Sequence, residues 1–341
     1  MTIRVAINGF GRIGRLVMRA MAAEPDVFDV VAVNDLAEAK ELAYLLRHDS
    51  THGCFPGEVL ADGTSLSVNG HTIETFSKKD PSALPWRDRR IDVAIEATGL
   101  FRSPKGPDKP GYDSHLEAGA KKVIITAPTA GDAKVIVLGV NDESLVAGDQ
   151  CVSNASCTTN SLAPVVRVLH DALHIERGLM VTVHAYTGDQ CLVDAIQKSD
   201  LRRGRAAAVN IVPTTTNAAK AIGRVLPELE GKLDGYALRV PVPAGSITDL
   251  TIDVRTKTTV EKVNEIIEIA AKGPMGKYLA YVHEPTVSTD IIGDSHSSIF
   301  DCGNTRVIDG TLVKCTMWYD NEWGYSCRTA ELVKKVAEMG L

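Results

Sequence analysis

The sequence predicts a two-part α/β protein. An N-terminal doubly wound parallel sheet is followed by an α+β domain with a mixed, largely antiparallel sheet. Three observations carry this prediction. A glycine-rich turn, Gly9 to Gly14, lies between an apolar run and a helical pattern near the start of the chain. Short apolar runs then alternate with helical or looped connections to about residue 140, the rhythm of parallel strands and crossovers. Beyond residue 160 the runs lengthen and alternate polar with apolar, as in sheets with one covered face. The boundaries expected are 1–152 for the Rossmann domain and 153–320 for the second domain, with a C-terminal helix within 321–341 packing back on the first.

Taken in order, Ile3–Ile7 reads as a buried parallel strand and leads into Gly9-Phe10-Gly11-Arg12-Ile13-Gly14, followed by helical spacing through Leu16, Val17 and Ala20. This is G-x-G-x-x-G in the context it requires. Gly9 allows the tight turn, Gly11 lets a pyrophosphate approach, and Gly14 lets helix and strand pack closely. The helix N-terminus supplies N–H groups for phosphate. Val30–Val33 is the next strand and ends at Asn34-Asp35, about twenty residues beyond the last glycine. An acid there accepts hydrogen bonds from the adenosine ribose and repels a 2′-phosphate, which favours NAD over NADP. Ile91–Glu96, Lys122–Thr126 and Val135–Leu138 are further strands, and they place Thr98, Gly99 and Thr126 at C-terminal strand ends, the ligand edge of such sheets. Residues 102–111 hold three prolines and two glycines and read as an exposed loop. In the second half, Val181–Thr187, Ala237–Val240, Leu250–Val254 and Leu312–Tyr319 are strands, and Ala330–Met339 is a closing helix.

With 341 residues the chain has room for two cores. A formal charge of −6 argues against a dedicated nucleic-acid surface, and no apolar run reaches membrane-spanning length. The opening residues already read as a strand, so no signal peptide is expected. Seven cysteines at 54, 151, 157, 191, 302, 315 and 327 form no C-x-x-C pair. An odd, scattered set fits a reducing compartment, and the cytoplasm is the expected location.

Chemistry concentrates at Ser153-Asn154-Ala155-Ser156-Cys157-Thr158-Thr159-Asn160. Leu162, Val165, Val166, Leu169 and Leu173 follow at helical spacing, so Cys157 stands at a helix N-terminus. Unpaired N–H groups and the positive end of the helix dipole favour the nucleophilic thiolate. The same N–H groups suit the oxygen of a tetrahedral intermediate. Pro164 removes a backbone donor, so the helix is expected to start late or bend there. His184, on the first strand after this helix, suits a thiolate partner and proton shuttle. Spacing alone does not bring the two together. Leu201-Arg202-Arg203-Gly204-Arg205 reads equally as a solvated charge run, a nucleic-acid patch or a phosphate site. No acid or cysteine completes a metal set with His170 and His174, and no metal is expected.

The glycine turn, the cysteine segment, His184-Ala185-Tyr186-Thr187, Leu201-Arg202-Arg203, Pro213-Thr214-Thr215-Thr216, Leu238-Arg239-Val240-Pro241 and Tyr319-Asp320-Asn321-Glu322-Trp323-Gly324-Tyr325-Ser326 together resemble the phosphorylating glyceraldehyde-3-phosphate dehydrogenases, in collinear order over nearly the whole chain. The resemblance implies NAD-dependent oxidation of glyceraldehyde 3-phosphate through a hemithioacetal and thioester on Cys157, with His184 as base and inorganic phosphate as acyl acceptor. It implies a substrate-phosphate site at Thr187 and Arg239, and an inorganic-phosphate site at Ser156, Thr158, Arg203 and Thr216, with Asn217 beside it. For the cofactor it implies Arg12 and Ile13 at the pyrophosphate, Lys79 near the adenine, Asn321 on the nicotinamide amide with Tyr325 nearby, and Thr126 where serine is common. It also implies a homotetramer, with residues 185–208 reaching toward neighbouring cofactor sites.

The chain departs from the family pattern at several points. Asn217 replaces a glycine, Gly188 an asparagine, Ser161 a second cysteine and Ala244-Gly245 an Asn-Val pair, and the loop 102–111 is longer. Ala195-Ile196 stands where strictly NAD-using relatives carry Leu-Pro, so NADP remains open, though Asp35 opposes it. Erythrose-4-phosphate dehydrogenase is a neighbouring reading, opposed by Thr187. An additional RNA-binding or scaffolding role is a reading of another class.

Overall fold

The computed structural model describes residues 2–198 and 200–341. The chain divides into two compact units, Met1–Ile136 with Glu143–Ala155 and Ser326–Leu341, and Val137–Asp142 with Ser156–Tyr325.

Among the described residues, the first unit contains a nine-stranded sheet. Its strands are β1 (Ile3–Asn8), β2 (Phe28–Asn34), β3 (Val59–Asp62), β4 (Ser65–Val68), β5 (His71–Phe76), β6 (Val93–Glu96), β7 (Lys122–Ile125), β8 (Lys134–Val135) and β9 (Cys151–Ser153). They lie in the order β3-β4-β5-β2-β1-β6-β7-β9-β8. From β5 to β8 every neighbour pair is parallel, and β3–β4–β5 is an antiparallel edge. Helices α1 (Arg12–Ala22), α2 (Ala39–Arg47) and α3 (Ser114–Glu117) are connections. Val5, Ile7, Val93 and Ile95 are fully buried, which is why the central strands read as unbroken apolar runs. Strand order reverses beside β1, so the C-terminal ends of β1 and β6 open at the topological switch point.

The second unit holds a seven-stranded mixed sheet. It comprises β10 (Ile175–Ala185), β11 (Val212–Thr215), β12 (Leu233–Val240), β13 (Ser246–Val254), β14 (Leu279–Val282), β15 (Ser298–Ile308) and β16 (Leu312–Tyr319), in the order β11-β12-β10-β13-β16-β15-β14. Among the described residues, β10–β12 and β14–β15 pair in parallel and the other neighbours are antiparallel. Helices α4 (Cys157–Leu173), α5 (Ala218–Val225) and α6 (Val260–Lys272) pack together, with α4 against β10, β13, β15 and β16. The fold class is as expected from the sequence.

Three local expectations are corrected. Helix α4 starts at Cys157 and runs through Pro164. Only the Asn160 carbonyl loses its i+4 donor, and burial of Leu162, Val165, Val166 and Leu169 outweighs that loss. The run Val135–Leu138 is buried, yet pairs only as the two-residue β8. Val137 N–H instead bonds Asn141 Oδ1 at 2.8 Å and its carbonyl accepts from Val140, closing a turn. Helix α7 (Trp323–Glu338) begins seven residues before Ala330, because Asp320 Oδ1 accepts the N–H groups of Glu322 and Trp323, both at 2.9 Å.

Candidate active site

In the second unit, Ser156 caps α4, its Oγ accepting from Thr159 N–H at 3.0 Å, so Cys157 is the first helical residue. Just before it, Ala155 holds φ at +53°, a conformation that side chains other than glycine rarely adopt. Cys157 Sγ lies 3.4 Å from His184 Nε2. His184 Nδ1 sits 2.6 Å from Ala185 O, so the carbonyl selects the tautomer with Nδ1 protonated and leaves the Nε2 lone pair facing the thiol.

The parallel register sets His184 beside Arg239 on β12. Arg239 Nη1 donates to Ala185 O at 3.1 Å and Thr187 Oγ1 at 2.8 Å, and stands 3.0 Å from His184 Nδ1. Thr187 in turn hydrogen-bonds Asp189, which Arg203 Nη1 pairs at 2.6 Å. Arg203 also donates from Nε to Thr214 Oγ1 at 2.8 Å and from Nη2 to Thr215 O at 3.4 Å. Two guanidinium groups and a threonine hydroxyl thus gather around the Asp189 carboxylate, donors of the kind that suit oxyanions. Thr216 and Asn217 follow directly on β11, and Thr216 Oγ1 accepts from Ala218 N–H at 3.2 Å.

The expectation of a favoured thiolate is corrected. Burial pushes the Cys157 thiol up, while Arg239, the Thr158 hydroxyl and the backbone N–H groups of Thr158 and Cys157 pull it down without overcoming that push. Burial, and then the Arg239 charge, holds His184 at about 3, against the Ala185 carbonyl, Asp189 and Glu322. The resting pair is thiol and neutral imidazole.

Unfolded, His184 titrates near 6.5; folded, near 3. The unfolded chain therefore binds the proton first. This contribution to stability is complete above pH 6.5 and is lost as pH falls toward 3. Between pH 7 and pH 5 the loss is about 2 kcal/mol. Denaturation of wild type and His184→Asn at both pH values should show wild type losing more by that amount; equal losses would refute the assignment.

In the first unit, a cavity of about 460 Å³ is lined by Asn8, Gly9, Gly11, Asn34, Asp35, Leu36, Lys78, Lys79, Ala97, Thr98, Leu100 and Phe101. Gly9 has φ +91°, and a Cβ there would stand 2.6 Å from Thr98 N. A Cβ on Gly14 would meet Gly9 O at 2.1 Å, so the turn and α1 need both glycines. Beside Gly11, the N-cap of α1, there is open space. Asp35 Oδ2 accepts Phe10 N–H at 2.7 Å and Oδ1 accepts Ala37 N–H at 3.2 Å, which fixes the carboxylate beside the glycine turn. This donor and acceptor set fits a dinucleotide's adenosine half.

Both units match known families. Residues 3–104 match the glyceraldehyde 3-phosphate dehydrogenase NAD binding domain, and residues 156–321 the C-terminal domain of the same enzymes. The chain belongs to the glyceraldehyde-3-phosphate dehydrogenase family. It is 54% identical over 338 residues to glyceraldehyde-3-phosphate dehydrogenase 2 of Streptomyces arenae, covering 97% of this chain and 98% of the relative. It is 51% identical to the glyceraldehyde-3-phosphate dehydrogenases of Mycolicibacterium smegmatis and Mycobacterium tuberculosis, covering 99% of each pair of chains. Membership makes the chain an NAD-dependent oxidoreductase.

The sequence-predicted residues of this family member fall into three groups. Cys157, Thr158, His184, Thr187, Arg203 and Arg239 all lie in the second unit, where hydrogen bonds link Cys157 to His184 and connect Arg239, Thr187, Asp189 and Arg203, with Arg239 Nη1 3.0 Å from the His184 ring. Gly9, Gly11, Asp35, Lys79 and Thr98 line the cavity, whereas Arg12, Ile13, Gly14, Gly99 and Thr126 do not. The Arg12 side chain is engaged by Asp49 at 2.5 Å. Thr126 donates from both N and Oγ1 to Glu96 O, at 3.0 and 3.1 Å. Asn321 and Tyr325 are buried in the second unit. Asn321 Oδ1 accepts from Ser246 Oγ at 2.9 Å, which leaves its amide N–H groups to be presented.

Sequence reasoning missed several supports. Ser246 also accepts Ala185 N–H at 3.0 Å and so ties the base strand to Asn321. Tyr319 Oη bonds Thr158 Oγ1 at 2.9 Å and Thr182 Oγ1 at 2.7 Å, with its ring edge-on to His184. A lone serine on a strand gives no signal. Tyr319 is a polar tip closing an apolar strand, a legible cue.

Proposed function

We propose that the chain oxidises D-glyceraldehyde 3-phosphate and phosphorylates it to 1,3-bisphosphoglycerate, in glycolysis or gluconeogenesis, by covalent catalysis at Cys157. The observation that carries this reading is the 3.4 Å approach of Cys157 Sγ to His184 Nε2 with Arg239 against the same imidazole. Sγ adds to the aldehyde carbon, and the thiol proton passes through His184 to the carbonyl oxygen, giving a hemithioacetal. His184 then takes the hydroxyl proton as the carbon loses hydride. NAD, when bound, accepts that hydride. The thioester keeps the oxidation energy until inorganic phosphate displaces the thiolate, which recovers its proton from His184. The N-terminus of α4 and His184 stabilise the transient oxyanions.

The substrate phosphate is assigned to Thr187 and Arg239, and inorganic phosphate to Ser156, Thr158, Arg203, Thr216 and Asn217. The Ser156 hydroxyl already serves the helix cap, so it acts there as an acceptor. A phosphate on Arg239 offsets the charge that depresses His184, so substrate docking raises the basicity of the imidazole when a base is needed. For the cofactor, the assigned residues are Gly9, Gly11, Arg12, Ile13, Gly14, Asp35, Lys79, Thr98, Gly99 and Thr126, with Asn321 and Tyr325 for the nicotinamide. A homotetramer in the cytoplasm completes the proposal. Six large apolar side chains between Leu192 and Ile211, each at least 66% exposed, favour self-association. Light scattering at the mass of one 36.6 kDa chain would contradict it.

The deciding experiment measures NADH formation from glyceraldehyde 3-phosphate and from erythrose 4-phosphate, with and without inorganic phosphate. Turnover of the triose that requires phosphate supports the proposal; turnover of erythrose 4-phosphate alone overturns it. In the same assay Asp35→Ser should lower the NAD over NADP preference by about a hundredfold, since it removes the carboxylate that opposes a 2′-phosphate. An unchanged ratio would show that Asp35 does not set cofactor choice.

A further inference from the structure

A row of buried polar side chains runs from the core of the first unit to the adenosine cavity. Trp86, fully buried, donates from Nε1 to His115 Nδ1 at 3.0 Å, with the two rings near parallel at 17°. An indole N–H only donates, so His115 Nδ1 must accept and the ring proton lies on Nε2. Nε2 stands 3.0 Å from Glu96 Oε2, and Asn8 Nδ2 donates to the same oxygen at 2.6 Å. Glu96 Oε1 accepts the Thr98 N–H at 2.9 Å and also the Thr98 hydroxyl. Four donors therefore converge on a carboxylate that is 1% exposed.

The polarity continues beyond Glu96. Asn8 spends its amide nitrogen on the carboxylate and offers Oδ1 to Asn34 Nδ2 at 2.7 Å. Asn34 Oδ1 then accepts Lys78 N–H at 2.8 Å, and its Nδ2 also donates to Lys78 O at 2.9 Å. Asn8, Asn34, Lys78 and Thr98 all line the cavity. Every hydrogen-bond direction along this row follows from the donor-only indole at one end and the backbone at the other.

We propose that Glu96, His115 and Trp86 are positioning residues for cofactor affinity, setting the donor and acceptor pattern of the cavity floor and holding the Thr98–Leu100 turn. The inference rests on reading this cavity as the adenosine site. A buried charge with four donors gives little net stability over well-packed apolar residues. Its place at the ligand edge of the sheet, with Leu100 N–H bonded to the Thr98 hydroxyl at 3.0 Å, gives it work to do on the turn.

The test compares the full chain, freed of NAD, with Glu96→Gln, Trp86→Phe and Asp35→Asn. It measures NAD affinity by fluorescence titration, KM for NAD, kcat at saturating NAD, and Tm. An amide at position 96 must turn its NH₂ toward two of the four donors. Glu96→Gln is therefore expected to weaken NAD binding and raise KM for NAD about tenfold, with kcat changed less than twofold. Trp86→Phe, three links away from Thr98, should weaken binding about threefold. It decides the matter if Glu96→Gln does not fold. Lowered Tm with unchanged NAD affinity in both variants, while Asp35→Asn weakens binding, overturns the proposal and leaves the cavity reading standing. Unchanged affinity in all three, Asp35→Asn included, overturns both.

Discussion

Cys157→Ser is expected to lower kcat by roughly four orders of magnitude while leaving NAD affinity within about twofold. A serine hydroxyl is a far weaker acid than a thiol and needs a strong base to become a nucleophile. The base assigned to this step is His184, held near 3 by burial and Arg239, too weak to ionise a serine hydroxyl for attack, whereas departure of hydride itself acidifies the hemithioacetal hydroxyl. The thiol needs less help, because sulfur attacks well with only partial loss of its proton. The residue does not line the cavity formed by Gly9, Asp35 and Thr98 that is proposed for the adenosine half, so cofactor binding should be spared. Stopped-flow detection of the first NADH turnover is the decisive readout. A burst of NADH from Cys157→Ser would remove Cys157 as the covalent catalyst and direct attention to another group in the second unit.

Arg239→Leu should lower kcat/KM for glyceraldehyde 3-phosphate by about a thousandfold, the scale of losing a half-buried charge-assisted partner of a phosphate. Unphosphorylated glyceraldehyde should lose no more than about fivefold, since Arg239 has no anion to hold in that reaction. Arg239→Lys should fall between, because lysine keeps the charge without the planar guanidinium whose Nη1 stands against His184, Ala185 and Thr187 and whose other N–H groups remain for phosphate. Equal losses with both aldehydes would mean that Arg239 acts only by supporting the His184 ring, and the substrate phosphate would need another site.

Much of the site is legible in the chain itself. Gly9, Gly14 and Asp35 follow from local geometry: a turn at positive φ, a close helix-to-strand approach, and an acid at the end of the second strand. Cys157 near a helix start follows from the 3.6-residue spacing of Leu162, Val165, Val166, Leu169 and Leu173 after it. These are short-range properties, set within a few residues. Apolar periodicity alone marks the last helix only from Ala330, because glycine, serine and cysteine are poor helix formers; the start at Trp323, inside the expected 321–341 helix, rests on the Asp320 cap. The turn after β8 was obscured because buried apolar residues read as strand whether or not the backbone pairs.

The sequence determined the residue types that catalysis and cofactor binding need, and the local elements that present them. Only the tertiary structure decided which of them meet. His184 and Arg239 lie fifty-five positions apart and become neighbours through the parallel pairing of β10 with β12, a register that local periodicity does not encode. The electrostatic state of the pair was likewise decided by the fold. A helix N-terminus favours thiolate, but the burial that accompanies packing of α4 against the sheet opposes charge on both sulfur and imidazole, and burial is the larger effect. The Trp86-to-Lys78 row has the same origin. Its members are scattered over more than a hundred residues and acquire a common direction only when the strand ends bring their donors and acceptors together.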